Sequence, residues 1–257
     1  MKSIIMEKKN NESIEEEVKR AIITSTGDFV EYEEHISATG SAKISGGKLN
    51  KSLRISGSGR INGDLECNEL TSSGTLRGSG NLTIHGDASS AGSIDIAGFL
   101  YVDGSVDFSG SAQVGNLIRV QEALVASGSF KAGHFVTVDE GIELSGSSDI
   151  NGNLSAQKTI KIDGTTKIQG NIVAENILLG ASEGTKKKQH YKIYGSLLAK
   201  NAVDVKKTLV GGDVKGKDVS IGRGSEIYGT VYYVDKIEID KKTKLAHESV
   251  QIKLDEL

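Results

Sequence analysis

The sequence has no proline and no tryptophan, and one cysteine among its 257 residues. Proline removes a backbone donor and is confined to the edges and bulges of sheets, so its absence is typical of a chain that is β-ladder nearly throughout. The single cysteine, Cys67, excludes an intramolecular disulfide and fits a reducing compartment. Hydrophobic residues make up 37% and aromatic residues only 5%, which favours a narrow core lined by aliphatic side chains.

Long apolar runs are also lacking. No stretch approaches the roughly 18 apolar residues of a membrane-spanning helix. The N-terminus has three consecutive apolar residues, Ile4 to Met6, which are too few for a signal peptide. The net charge of −3 gives no general attraction to nucleic acid. We therefore expect a cytoplasmic protein that does not bind nucleic acid.

Glycine is abundant, at 32 residues, and its positions are periodic. One run of glycines repeats every 18 residues in the middle of the chain, and another repeats every 17 residues towards the C-terminus. A short fixed period over most of a chain is the signature of a solenoid, in which each repeat stacks on its neighbour. The two runs are Gly110, Gly128, Gly146 and Gly164, and Gly195, Gly212 and Gly229.

The repeating unit is an aliphatic residue, any residue, glycine, a small or polar residue, and a second aliphatic residue. Ile61 to Leu65 and Ile227 to Val231 are examples. Each glycine supplies the backbone freedom of a corner, and the flanking aliphatic side chains point inward. Three six-residue sides make a coil of about 18 residues, and neighbouring coils pair as parallel strands. We predict an all-β fold: a single-stranded parallel β-helix of about eleven coils and about 50 Å in length.

The repeat divides the chain into three parts. Residues 1–35 lack the period and form a tail with a short helix over 13–23, which either caps the first coil, lies on a partner or is part of a free tail. Residues 36–240 form the β-helix core, interrupted by a basic loop insertion near 181–190. Residues 241–257 form a polar C-terminal tail or a last irregular strand.

Signals for nucleotide or metal chemistry are weak. The segment Gly211 to Asp218 resembles a phosphate-binding loop, but Asp218 stands where serine or threonine must follow the lysine. The five histidines are not within metal-ligand spacing of one another, and Cys67 has no partner. We expect no nucleotide, no metal and no cofactor.

No catalytic residue can be nominated from the sequence. His85 precedes a corner, and we interpret it as a solvated surface residue. Four aspartates follow aliphatic residues at turn positions, and we interpret them as turn formers, not as paired catalytic carboxylates. They are Asp64, Asp87, Asp103 and Asp213.

The repeat pattern resembles that of the bactofilins, the polymer-forming cytoskeletal proteins of bacteria and some archaea. The resemblance rests on the proline-free run of Ile/Val-x-Gly-Asp/Asn-Leu/Val hexads over about residues 40–235. It implies a right-handed, roughly triangular β-helix that assembles end to end into non-polar filaments without nucleotide. It also implies contact with the inner face of the membrane and a scaffolding role for cell-envelope or motility proteins. The longer core and the insertion at 181–190 depart from the family pattern.

The expected function is therefore that of a non-enzymatic scaffold that polymerises through its ends, its first partner being itself. The lysines Lys186, Lys187 and Lys188 are candidates for contact with lipid or with an acidic partner. The candidate polymer interface consists of aliphatic residues near the two ends of the repeat: Ile44, Ile55, Ile61, Ile227, Val231, Ile237 and Ile239.

Two alternatives stay open. An 18-residue coil also occurs in hexapeptide-type β-helix acyltransferases, in which a histidine acts as general base. His85 or His134 would then be the candidate here. The second alternative is a β-helical binding scaffold that does not polymerise and that docks a partner through the insertion.

Overall fold

The computed structural model describes residues 20–180 and 191–257. The chain is all-strand, with 64% strand, and winds into a parallel β-solenoid of about 12 turns with about 18 residues per turn. The described residues contain no α-helix; one short 3-10 helix, Leu254–Glu256, follows the last strand. The predicted all-β parallel solenoid is confirmed.

The described strands are short and follow one another closely along the chain. The first fourteen are β1 (Ile23–Ser25), β2 (Phe29–Glu31), β3 (His35–Lys48), β4 (Ser52–Cys67), β5 (Leu70–Ser72), β6 (Thr75–Gly78), β7 (Leu82–Ile84), β8 (Ala88–Ser90), β9 (Ser93–Ile96), β10 (Leu100–Val102), β11 (Val106–Phe108), β12 (Ser111–Val114), β13 (Ile118–Val120) and β14 (Leu124–Ala126).

The remaining strands complete the solenoid. They are β15 (Ser129–Ala132), β16 (Val136–Val138), β17 (Ile142–Ile150), β18 (Leu154–Ala156), β19 (Thr159–Ile168), β20 (Ile172–Leu179), β21 (Tyr191–Ile193), β22 (Leu197–Val205), β23 (Thr208–Val210), β24 (Val214–Ile221), β25 (Glu226–Ile227), β26 (Val231–Ile239), β27 (Lys244–Leu245) and β28 (Val250–Gln251).

Each turn has three faces, which we name A, B and C in chain order. Successive turns pair in parallel and nearly in register, so equivalent side chains stack in files along the rod. The face A file numbers the turns 1 to 12: Ile36, Leu53, Leu70, Ala88, Val106, Leu124, Ile142, Ile160, Ile177, Val203, Val219 and Ile237.

The other two faces are built in the same way. The face B file contains Ile44, Ile61, Gly78, Ile96, Val114, Ala132, Ile150, Ile168, Ile193, Val210, Ile227 and Leu245. The face C file contains Gly47, Leu65, Leu82, Leu100, Ile118, Val136, Leu154, Ile172, Leu197, Val214 and Val231.

Alternation along each strand decides which side chains enter the core. In β10, Leu100 and Val102 are buried whereas Tyr101 between them points outward. Nearly all interior residues are aliphatic, and each contacts the residues one turn below and above in its file. A turn therefore cannot bury its apolar side without neighbours, and the core is continuous along the rod.

The corner between faces A and B, the AB corner, explains the periodic glycines. A Cβ at Gly92, Gly110 or Gly128 would meet the carbonyl oxygen of the glycine one turn below, well inside 3.0 Å. Backbone packs directly on backbone here, so no side chain fits between the turns. This file runs through turns 2 to 8 as Gly57, Gly74, Gly92, Gly110, Gly128, Gly146 and Gly164.

Polar side chains tie successive turns together at the other corners. The Asp64 carboxylate accepts the Asn81 N–H at 2.7 Å, and the Asn81 side-chain oxygen accepts the Phe99 N–H at 2.9 Å. The Asp213 carboxylate likewise accepts the Thr230 N–H at 2.8 Å. Asp87 does the same for Ser105. The interpretation of Asp64, Asp87 and Asp213 as turn formers is confirmed.

The N-terminal segment differs from the predicted short helix. Most of that prediction, residues 13–19, lies outside the described residues. Its last residues are extended, since Ile23 already begins β1. Strand pairing with the first turn competes successfully with the weak helical pattern, because an isolated helix of about ten residues is marginal in water.

The C-terminal boundary also differs from the sequence expectation. The core was expected to end at residue 240, but β27 pairs with β25, and β28 pairs with β26, both in parallel. Residues 241–251 therefore belong to turn 12, and the irregular-strand alternative is the nearer of the two. The insertion at 181–190 lies outside the described residues; it joins Gly180 at the end of face A to Tyr191 at the start of face B, and so departs from the AB corner of turn 9.

Candidate functional site

The C-terminal end of the solenoid is an open edge. In turn 12 the end of β26, β27 and β28 each pair with the turn below, and no described strand lies beyond them. Ile237, Ile239 and Leu245 continue the interior files but have no described residue above them. Ile239 is 39% exposed, whereas Ile221, its partner one turn below, is 1% exposed. The apolar interior of the rod is therefore open to solvent at this end.

The chain that follows β28 does not cover this edge. Leu254 and Leu257 instead line a groove of about 450 Å³ on face C, together with Val173 and Leu198 of turns 8 and 9. The residues after turn 12 thus fold back along the side of the rod. The end surface keeps the free N–H and C=O groups of a parallel edge beside an apolar interior, a combination that favours pairing with another chain.

The N-terminal end is covered. Residues 20–31 run back across the first turn, with Ile23 of β1 opposite Ile44 and Phe29 of β2 opposite Ala38, both in antiparallel pairing. Ala21 is buried at this end of the core. We call residues 20–31 the N-terminal cap. It satisfies the edge groups of turn 1 and shields its interior, so the two ends of the rod differ in kind.

Side chains hold the N-terminal cap in place. Lys51 pairs with Glu31 at 2.8 Å and also donates to the Tyr32 carbonyl. The Ser25 hydroxyl donates to the Thr39 carbonyl at 2.6 Å. The hydrogen bond from Lys51, followed by its charge, lowers the pKa of Glu31 below its ordinary value. The cap is therefore fastened by a contact that requires Glu31 to be ionised.

The structure separates the seven predicted interface residues into two groups. Ile44, Ile55, Ile61, Ile227 and Val231 are all buried, which contradicts their placement on an accessible interface. The first three lie beneath the cap or in turn 2, and the last two lie one turn inside the open end. Each turn is a complete layer, so only the outermost layer can meet a partner.

Ile237 and Ile239 are the two predicted residues that do lie in the outermost layer. Leu245 belongs with them and was missed by the sequence analysis. The signal was present, because Leu245 follows Ile227 by 18 residues, but the repeat was taken to stop at 240. The role of these three residues in an interface remains a prediction.

His85 stands at the surface, as expected, but it is engaged on both sides. Its Nε2 lies 2.8 Å from Glu66 and its Nδ1 lies 3.0 Å from Asp103. Lys48 also donates to Glu66, and Gln121 donates to Asp103. The residues form a chain of contacts along the rod, one turn to the next, and the description of His85 as merely solvated needs this correction.

The chemistry of this cluster is that of an ion-pair ladder. Hydrogen bonds to Glu66 and then to Asp103 raise the pKa of His85 above its ordinary value. The hydrogen bond from Lys48, followed by that from His85, lowers the pKa of Glu66. A histidine held as a cation between two carboxylates has no free nitrogen with which to accept a proton. This arrangement suits stacking of turns better than general-base catalysis.

The remaining reactive groups do not form a catalytic set. Burial raises the pKa of the Cys67 thiol to about 12, which makes it inert. His134 contacts the Phe135 ring edge-on at 5.9 Å. In the part of the chain that the structure describes, no group of three or more His, Cys, Asp or Glu residues is placed to hold a metal ion. Lys186, Lys187 and Lys188 lie outside the described residues.

Comparison with known proteins finds no matching family model, no matching curated protein and no matching solved structure. Within residues 20–180 and 191–257, no helix is long and apolar enough to cross a membrane. The open and covered ends of the rod are thus the candidate functional features.

Proposed function

We propose that this chain is a non-enzymatic scaffold that assembles end to end, without nucleotide, through the open C-terminal turn of its solenoid. Its product would be a filament that positions other proteins, as the resemblance to bactofilins implies. The observation that carries the proposal is the contrast between Ile239, which is 39% exposed in turn 12, and the fully packed residues of its file in the turns below.

The physical argument starts from the edge. A free parallel edge leaves a row of unpaired donors and acceptors, and natural proteins usually cover or charge such edges. The described C-terminal end has no covering segment, and Ile237, Ile239 and Leu245 present apolar surface beside it. Stacking another copy there would continue both the ladder and the core, at roughly 25 cal/mol for each Å² of apolar surface removed from water.

The chemistry of the two ends favours pairing of like with like as the first step. An isologous contact between two C-terminal ends brings two open apolar edges together and gives a two-fold symmetric dimer. Extension into a filament then requires a second contact between N-terminal caps. The caps expose Phe29 and Val30, which supply apolar surface for that weaker contact.

The experiment compares assembly of the wild-type protein with that of an Ile239→Lys, Leu245→Lys double variant. Light scattering coupled to gel filtration, with negative-stain electron microscopy, measures the mass and length of the particles. The matched control is Val125→Lys, because Val125 is also 39% exposed but points outward from the middle of face A.

We expect the double variant to stop at single rods while the control assembles as the wild type does. Wild-type rods that stay monomeric at every concentration would refute the proposal and favour a binding rod that does not polymerise. Equal loss of assembly in the control would show that the open end is not the contact.

A further inference from the structure

The AB corner changes chemistry along the rod. In turns 2 to 8 it is a bare ladder of glycine with serine, alanine or threonine neighbours, apart from Asp163. In turns 10 to 12 the same corner carries Lys206 and Lys207, then Arg223, then Lys241 and Lys242. We propose that this cluster, which we call the basic corner, binds the anionic surface of a lipid membrane. The proposal is independent of end-to-end assembly.

The fold concentrates these charges. The corner residues of turns 10, 11 and 12 follow β22, β24 and β26, which pair in register on face A. Successive turns are about 4.8 Å apart, so five cations lie within about 10 Å along the rod. In sequence they are spread over 37 positions, from 206 to 242. No linear motif therefore reveals the cluster.

The side chains are directed towards solvent. Arg223, Lys241 and Lys242 are exposed, and Lys206 and Lys207 are half-buried. Gly222 and Gly224 leave room for the stems below, because Cβ atoms built there would meet the Cγ atoms of Lys206 and Lys207. The lysine stems thus lie along the corner while their ammonium groups reach outward, as amphipathic cations do at membrane surfaces.

Most of these charges are not neutralised by the protein. Among the described residues no carboxylate lies within ion-pair distance of Lys206, Arg223, Lys241 or Lys242. Neighbouring lysines differ: Lys244 pairs with Glu226 at 3.0 Å, and Lys236 pairs with Glu238 at 2.6 Å.

The nearest acidic side chain in the cluster is already engaged. Asp240 directs one carboxylate oxygen to the backbone N–H of Lys242 at 2.8 Å. It therefore shapes the turn and does not bridge to an ammonium group of the cluster. The corner keeps excess positive charge although the whole chain carries −3.

The shape of the corner favours a flat partner. A convex edge can place all five cations against a planar anionic surface, which contributes about 1 kcal/mol per lysine or arginine. Single-stranded nucleic acid is bound in grooves with aromatic side chains for base stacking, and this corner has no aromatic residue over 206–207, 222–225 and 240–243. Clusters of four to eight lysine and arginine residues are typical of contact with anionic lipid.

The test is co-sedimentation of the full chain with phosphatidylcholine vesicles that either contain or lack phosphatidylserine. The variant replaces four cations: Lys206→Glu, Arg223→Glu, Lys241→Glu and Lys242→Glu. The control makes the same net change at exposed cations of turns 2, 3 and 6: Arg54→Glu, Arg60→Glu, Arg77→Glu and Lys131→Glu. Lys186 to Lys188 are unchanged in both.

We expect wild-type protein and control to bind phosphatidylserine vesicles, to release them at high salt, and to ignore neutral vesicles. The basic-corner variant should bind at least tenfold more weakly. A second variant with glutamine at the same four positions, expected to lose affinity several-fold, replaces it if circular dichroism shows that the glutamate variant is misfolded.

Three results would overturn the proposal. One is no binding of the wild type to phosphatidylserine vesicles, and another is an equal loss in variant and control. The third is binding to an equally charged DNA duplex but not to vesicles, which would assign the corner to nucleic acid. Single rods that bind vesicles would leave the lipid contact standing while refuting the proposed assembly.

Discussion

The two ends of this rod are built from the same repeat but finished differently. At the N-terminal end, residues 20–31 reverse direction and pair antiparallel with the first turn. At the C-terminal end, turn 12 stops with Ile239 and Leu245 partly uncovered. A solenoid has no intrinsic reason to stop, since every turn can accept another. The difference shows that end treatment, and not the repeat itself, decides where another copy can add.

Removing the cap should abolish the difference and have the largest effect. Deletion of residues 1–34 exposes Ile36 and Ile44 of turn 1 as a second open end. We expect longer filaments or precipitation, because both ends then present an apolar parallel edge. Electron microscopy at matched concentrations measures the length distribution. Unchanged or shorter particles would mean that the cap is itself an adhesive surface.

Truncating a core residue in the middle of the rod should cost far more than doing so at the open end. Leu124→Ala in turn 6 leaves a cavity between two packed layers and should lower the free energy of unfolding by about 2–5 kcal/mol. Leu245→Ala in turn 12 should cost under about 1 kcal/mol in the unassembled rod, since that side chain is already partly hydrated. Urea unfolding of each variant measures both values. Equal costs would contradict the open end.

Acid should loosen the covered end before the rest of the rod. Glu31 has a folded pKa below its ordinary value of 4.5, chiefly because Lys51 donates to it. A lowered folded pKa stabilises the cap above the unfolded value, and this contribution is lost as the pH falls through the folded value. Hydrogen exchange of β1 and β2 should therefore accelerate several-fold below pH 4.5 relative to β14.

The matched variant for this acid effect is Glu31→Gln, which keeps the shape of the side chain but removes its charge. It should raise exchange in the cap at neutral pH and flatten the pH dependence there. An unaltered pH profile in this variant would show that another group controls the cap.

The smallest effect concerns the ion-pair ladder on turns 2 to 4. The pKa of His85 is raised above 6.5, first by Glu66 and then by Asp103. A raised folded pKa means that the stabilising contact is present at low pH and is lost as the pH rises through that value. Since His85 is nearly half exposed, the effect on stability should be slight. NMR titration should show the raised pKa, and Asp103→Asn should lower it part of the way.

The sequence predicts the interior of this molecule well because the repeat is a local rule. The spacing of Gly110, Gly128 and Gly146 predicts the corner, and the structure supplies the steric reason, which is backbone packed on backbone. The turn role of Asp64 and Asp213 also follows from their positions after glycine, and both accept an N–H from the next turn.

The ends could not be predicted in the same way, because they are where the rule stops. Ile44 and Ile227 have the same local pattern as Ile239, yet only Ile239 belongs to the outermost layer. The distinction depends on how many turns form and on which segment lies over them. The helical spacing of Ile14, Val18 and Ile22 could not anticipate strand pairing by residues 23–25, since pairing depends on the exposed edge of turn 1.

Negative-stain electron microscopy of the purified protein without nucleotide, over a range of concentrations, tests the central claim most directly. A single rod of 12 turns should measure about 58 Å. We predict filaments, or at low concentration paired rods of about twice that length, joined through their ends and absent in the Ile239→Lys, Leu245→Lys variant. Single rods at every concentration, or particles joined only side by side, would contradict the account.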